Sequence, residues 1–200
     1  MFVLDHLMFE VTNPKAEYER LDWLFGLPNA WPYSESADYD SVGMNFGAFN
    51  VELIRFRRRF GVARPTTSNR LGGVAFRVGD LGAALKTLEA RRVPFRIGED
   101  IPAHTTVPLG DDGSITPFLV RYKFDTTGWW GRLRSEYQGS QGGRLGLVGT
   151  PVVRLGAELS RYADLLTGVQ WGTAGVVLEV ESRCPGLQDL EYLGVSIHVL

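Results

Sequence analysis

The stretch Leu4-Asp5-His6-Leu7-Met8-Phe9-Glu10-Val11 alternates, placing Leu7, Phe9 and Val11 on one face of a strand and His6, Met8 and Glu10 on the other. The first face is apolar enough to pack against a helix. The second carries an imidazole and a carboxylate, side chains that an ordinary core does not select. A helical pattern follows at once, from Asn13-Pro14 through Tyr18, Leu21, Leu24 and Phe25 to Gly26. Leu27-Pro28 and Trp31-Pro32 break any continuation, because proline lacks the amide proton that a helix needs. Residues 34–40 read as a polar loop, and 41–47 and 49–56 as two strands. In the second of these, Val51 and Leu53 share one face while Asn50, Glu52 and Ile54 share the other. The unit is strand, helix, then two or three strands.

The pattern then returns. Leu71-Gly72-Gly73-Val74-Ala75-Phe76-Arg77-Val78 aligns with Leu4 to Val11, with Gly73 where His6 stood, and Asp80-Leu81 opens a second helix. That helix is expected over 81–90, with Leu81, Ala84, Leu85 and Leu88 at helical spacing and Arg91-Arg92 closing it against the helix dipole. A strand is expected over 93–97, a loop holding His104 over 99–113, and a strand over 116–124. Residues 125–143 read as irregular, with Trp129-Trp130 capping a core edge or lining a ligand mouth. A third, more divergent pass begins near 145, with a strand at 151–155, a helix at 157–166 and strands at 175–180 and 193–199.

Composition narrows the class. Two hundred residues with 44% hydrophobic and 22% charged content suit a globular protein with a sizeable core. A formal net charge of −2 argues against a general polyanion binder, so nucleic acid is not expected as a partner. No apolar run approaches the ~20 residues that cross a bilayer, and Asp5, His6 and Glu10 interrupt any secretory-signal pattern. A single cysteine, Cys184, fits a reducing cytoplasm. The run Arg55-Phe56-Arg57-Arg58-Arg59-Phe60 is the densest positive charge, either a solvated strand end or a site that captures an anionic group.

Taken together, LDHLMFEV, FNVELIRF and LGGVAFRVGDLGAALKTLEARRVPF resemble the vicinal-oxygen-chelate superfamily of glyoxalases, extradiol dioxygenases and bleomycin-resistance proteins. TPFLVRY, a Gly-rich connector and a third unit are similar, more narrowly, to the glyoxalase-like domain family. The resemblance implies an α+β fold in which repeated βαβββ units form curved mixed sheets around a central cup. It implies one domain over 1–200, with units at about 1–60, 70–124 and 145–200. In metal-binding members a histidine on the first strand and a glutamate on the fourth are ligands, positions that His6 and Glu52 match. Imidazole and carboxylate suit Zn²⁺, Mn²⁺ or Fe²⁺. The second half departs from the pattern, because Gly73 has no ligating group and Arg121 stands where many relatives carry an acid. His104, Glu10, Glu179 or His198 would have to complete the set.

Two functions therefore stand side by side. One is a divalent-metal-dependent lyase, isomerase or dioxygenase acting on a small oxygen-rich molecule, with Glu52 as ligand or base. The other is a metal-free, resistance-type protein that sequesters a small ligand. Either way Arg121, Met8 and Glu10 are expected to line the cup with His6 and Glu52; where Glu52 is not a ligand or base, Arg121 is its expected partner, replacing the charge balance of a metal. A homodimer fits both.

Overall fold

The structure, a computed structural model, describes residues 1–110 and 115–200. In chain order it contains β1 (Phe2–Glu10), α1 (Pro14–Phe25), β2 (Asn29–Glu35), β3 (Tyr39–Asn45), β4 (Asn50–Phe56), a short hairpin β5 (Arg58–Arg59) and β6 (Val62–Ala63), and β7 (Arg70–Arg77). Then follow α2 (Leu81–Ala90), β8 (His104–Pro108), β9 (Thr116–Tyr122), α3 (Thr127–Gly139), β10 (Leu147–Leu155), β11 (Leu166–Thr167), β12 (Gln170–Trp171), β13 (Val176–Ser182), β14 (Leu190–Tyr192) and β15 (Val195–Val199).

One mixed sheet carries the first two units in the order β2-β3-β4-β1-β7-β9-β8, with β1 parallel to β4 and antiparallel to β7. The first unit is βαβββ; the second has the same order with one strand fewer. The architecture is the expected α+β fold of curved mixed sheets around a cup. A five-stranded sheet, β12-β10-β13-β15-β14, holds the third unit. Its β11 adds to β1, pairing Phe2 with Leu166.

The alternation along β1 places its two faces in different environments. Leu7, Phe9 and Val11 join Val51, Leu53, Val74, Phe76, Leu178 and Ile197 in a core that runs through both sheets. Met8, Ile54, Ala75, Phe118 and Val120 form a separate cluster on the opposite face. Helix α1 starts where Asn13 accepts a hydrogen bond from the Ala16 amide (3.2 Å) with Pro14 in the first turn. It stops at Gly26, whose φ of 57° lies in the left-handed region. Helix α2 is capped by Asp80, which accepts from the Ala83 amide at 3.0 Å.

Several expectations need correction. Residues 34–35 belong to β2, an edge strand that tolerates Pro32 because one row of its donors has no strand to pair with. Residues 93–97 form no strand, only the bridge between Phe95 and Leu109. The expected loop 99–113 contains β8, antiparallel to β9, although residues 111–113 lie outside the described residues. Residues 127–139 are helical despite Gly128 and Gly131, because Trp130, Leu133 and Tyr137 bury one face at helical spacing. The helix expected over 157–166 is a 3₁₀ helix, Ala157–Tyr162.

The arginine run is in part the solvated strand end, with Arg57 and Arg58 exposed, but its charges are paired with carboxylates rather than gathered to trap an anion. Arg55 and Arg57 both pair with the fully buried Asp40, and Arg58 with Asp38. Arg59 is only 2% exposed, with its Nε 2.8 Å from Glu10 Oε1 and a hydrogen bond to the Gly72 carbonyl at 2.8 Å. Arg70 joins the same carboxylate at 3.1 Å. Glu10, expected in the cup, instead holds the hairpin to the rim of the sheet.

Glu10→Ala takes a buried carboxylate from Arg59 and Arg70, and breaking a buried pair costs up to about 3–5 kcal/mol. It is therefore expected to cut the urea unfolding free energy by about 2 kcal/mol or more. Arg58→Ala, at an exposed pair, is expected to cost about 1 kcal/mol or less. Equal losses in the two melts would show that the Glu10 pairing does not anchor the hairpin.

Candidate functional site

A cavity of about 330 Å³ opens on the cup face. β1 supplies His6 and Met8, β4 supplies Glu52 and Ile54, and β9 supplies Phe118, Val120 and Tyr122. The structure thus brings His6 and Glu52 to one wall, as the strand phases require.

The floor is a line of polar groups. His6 Nδ1 lies 2.7 Å from Asp5 Oδ1, and the Tyr122 hydroxyl donates to that same oxygen at 2.8 Å. His6 Nε2 lies 3.2 Å from Glu52 Oε2, close enough for an ion pair. The Ser41 hydroxyl donates to Glu52 Oε1 (2.8 Å) and accepts from the Trp31 indole (2.9 Å). Asp5 reaches this line through a shift of register. Strict alternation would put it on the Leu7 face, but the pairing of β1 with β7 slips between Leu4 and His6, so consecutive residues serve one cluster.

These contacts set the charges. Burial alone would lower the proton affinity of His6, but Asp5 and Glu52 outweigh it and raise its pKa from 6.5 to about 9. Burial would raise the pKa of Glu52, but His6, followed by Ser41, holds it below the usual value. Burial and the Asp5 carboxylate push the Tyr122 phenol well up, so it stays a donor. The floor is an imidazolium between two carboxylates.

The rest of the lining is aromatic and apolar. Trp31, Tyr39, Phe56, Phe60, Phe118 and Trp129 contribute rings. The His6 ring meets Trp31 and Phe118 edge-on, with centroids 6.0 and 5.5 Å away. The paired tryptophans divide their roles: Trp129 lines the cavity, whereas Trp130 is buried beneath the guanidinium of Arg77 at 4.2 Å. Opposite the floor, Glu99 and His104 form a second acid–imidazole pair at 3.5 Å. His104 is therefore part of the cavity wall.

Arg121 is not. β9 is apolar through most of its length, so its phase is invisible in the sequence. It turns Phe118, Val120 and Tyr122 inward and Arg121 outward, into a surface depression with Val3, Gly79 and Asp125. The expected Arg121–Glu52 pair does not form; His6 takes that place. Tyr122, one residue on, is the polar group of β9 that faces the cup. Asp5, Ser41, Glu99 and Tyr122 were missed; Glu99 and His104 were hidden by the loop reading of 99–113.

Could these residues hold a metal? Among the described residues no group of three or more His, Cys, Asp or Glu side chains is placed to hold one. Glu179 pairs with Arg154 in the second sheet, and His198 is exposed there. At Gly73 an added Cβ would lie 2.7 Å from the Thr116 carbonyl oxygen, 2.9 Å from Met8 Cε and 3.1 Å from Phe118. No donor can enter from β7, because neighbouring atoms already fill its place. The residues present do not fit a metal centre with three protein ligands.

No protein-family model matches the chain, and no curated protein does. Solved structures do. A hypothetical protein from Staphylococcus aureus is similar over 100% of both chains, with a TM-score of 0.62 at 9% identity. A methylmalonyl-CoA epimerase from Mycobacterium tuberculosis is similar over 60% of this chain and 88% of its own, with a TM-score of 0.48 at 15% identity. One from Streptomyces coelicolor covers 60% and 97%, with a TM-score of 0.47 at 13% identity. The full-length likeness shows the fold: curved mixed sheets around a cup, the architecture that the vicinal-oxygen-chelate resemblance implies.

Proposed function

We propose that this chain binds a small, largely apolar or aromatic molecule in the cup, through its own side chains and without a metal at the His6–Glu52 pair. The observation that supports this reading is the lining of the cavity. Rings cover its walls and its polar groups gather at two places, which suits a flat molecule oriented by a few hydrogen bonds. Of the two functions left open by the sequence, the sequestering one is favoured over the metal-dependent enzyme.

Glu52 as a general base is not favoured either. A base works best with a pKa near the working pH, and Glu52 is held below its ordinary value. Both of its oxygens are also engaged, one by Ser41 and one by His6. The arrangement favours holding over proton abstraction. Intrinsic tryptophan fluorescence tests the binding reading, since Trp31 and Trp129 both face the cavity. Ligands selected from a library of small aromatic molecules are expected to quench it saturably, and Trp129→Phe to remove part of that signal. A library in which nothing binds would sink the reading.

Calorimetric titration with Zn²⁺ or Mn²⁺ is expected to show no stoichiometric binding at neutral pH. Tight one-to-one binding that His6→Gln abolishes would instead restore the metal-dependent reading.

The charge state of the floor makes a pH prediction. A His6 pKa of about 9 in the folded chain, against 6.5, contributes stability that is fully present below 6.5 and lost as pH rises through about 9. Glu52 contributes above its ordinary value of 4.5 and loses that contribution as pH falls through its lowered one. Unfolding free energy is therefore expected to fall on the order of 3 kcal/mol more steeply between pH 7 and 10 than in a His6→Gln variant. Parallel curves for the two proteins would show that His6 is neutral in the fold.

A further inference from the structure

We infer that the ligand of the cup is an organic cation, a protonated or quaternary nitrogen carried on a flat apolar body. The inference rests on the binding reading above and adds the chemical class of what is bound.

Sign of charge is the first argument. The cavity is lined by two carboxylates, Glu52 and Glu99, and among the described lining residues there is no lysine or arginine. The arginines nearest in sequence to β4 are turned to Asp40, Asp38 and Glu10. Arg77 lies behind the floor, on the Leu4 carbonyl (2.9 Å) and the Trp130 ring, where its charge acts on Asp5. His6 thus stands between Asp5 (2.7 Å) and Glu52 (3.2 Å), and Arg77 adds a positive charge at longer range. Among the described residues, the ion-pair partner of Glu99 is His104, at 3.5 Å.

The second argument is an oxygen with nothing to do. The Glu99 side chain is 8% exposed, and its Oε1 is buried with no hydrogen-bond partner. A buried carboxylate oxygen left unpaired is costly. The backbone holds it there all the same: the Glu99 amide donates to the Thr106 hydroxyl (2.8 Å), and the Thr106 amide donates to the Glu99 carbonyl (2.8 Å). Because Oε1 has almost no exposed surface, a ligand in the cup acts on it through space rather than by contact: a positive charge lowers that cost and a negative one raises it.

The third argument is the nature of the walls. Tyr39, Phe56, Phe60 and Phe118 form a continuous run of rings, with successive centroids 6.3, 6.2 and 5.0 Å apart beginning at Tyr39–Phe56 and ending at Phe60–Phe118. Ring faces attract cations, more strongly where water is excluded, and Phe60 already carries the guanidiniums of Arg59 (4.9 Å) and Arg96 (5.9 Å), which leaves Tyr39, Phe56 and Phe118 to meet a ligand. Tyr39 feels both carboxylates: beyond burial, Glu52 and then Glu99 oppose ionisation of its phenol. The same surface therefore lies within the field of both acids.

Three probes of one shape and different charge test this: N-methylquinolinium, the neutral 1-methylnaphthalene and the anion 1-naphthoate, each titrated by equilibrium dialysis. The cation is expected to bind about tenfold or more tightly than the neutral probe, with the anion weakest. Glu99→Gln, which keeps the shape of the side chain, is expected to erase most of that preference. The readout is the ratio of cation to neutral affinity in each protein, which a merely structural loss at this position would not move. If the neutral probe or the anion binds as well as the cation, the inference fails while the binding reading stands. If none of the three binds, both fall. A cation preference that survives in Glu99→Gln would overturn the role of Glu99.

Discussion

β1 must be buried on both of its faces, and that requirement shapes the molecule around it. It is the central strand of the large sheet, parallel to β4 and antiparallel to β7. One face carries Leu7 and Phe9 into the main core, and the second sheet covers it so closely that only a void of about 20 Å³ remains between them. The other face has to offer something to a cavity. A polar side chain there survives burial only if it is fully partnered. His6 approaches this condition, hydrogen-bonded to Asp5 at 2.7 Å and ion-paired with Glu52 at 3.2 Å, and the pairing in turn sets the charge of the cup floor.

The third unit is what allows β1 to be so apolar. Without a cover, Leu7 and Phe9 would lie on an open sheet face. Tyr192 packs its ring edge-on against Phe9 with centroids 5.3 Å apart, and its hydroxyl donates to Glu17 of α1 at 3.0 Å. β11 extends the same sheet beside the start of β1. The third unit therefore supports the wall of the cup from behind without contributing a side chain to the cavity.

Much of this was legible in the sequence, for a definite physical reason. Where strands alternate cleanly, as in β1 and β4, one face declares itself, and His6 and Glu52 were placed on the same side correctly. Capped helices also declared themselves: Asn13-Pro14 to Gly26 and Asp80 onward have their expected bounds. Legibility failed where alternation did. Thr116–Tyr122 is buried along most of its length, so Arg121 and Tyr122 could not be told apart by phase. The slipped register before His6 made Asp5 a floor residue in a way that no periodicity reveals. β8 was lost among prolines and glycines, and with it the reading of Glu99 and His104 as cavity groups.

Gly73 has a consequence for how this fold can change over generations. Its missing side chain is not an open position waiting for a donor, because a backbone carbonyl, a methionine and a phenylalanine already occupy the space. Met8 and Phe118 could be traded for smaller residues, but the Thr116 oxygen belongs to the strand itself, and only a movement of β9 would clear it. A lineage that sought a ligating side chain there would need concerted changes on three strands, each unfavourable alone. Loss of that position is thus far easier than its recovery, and the cup is held to whatever it can achieve with rings and carboxylates.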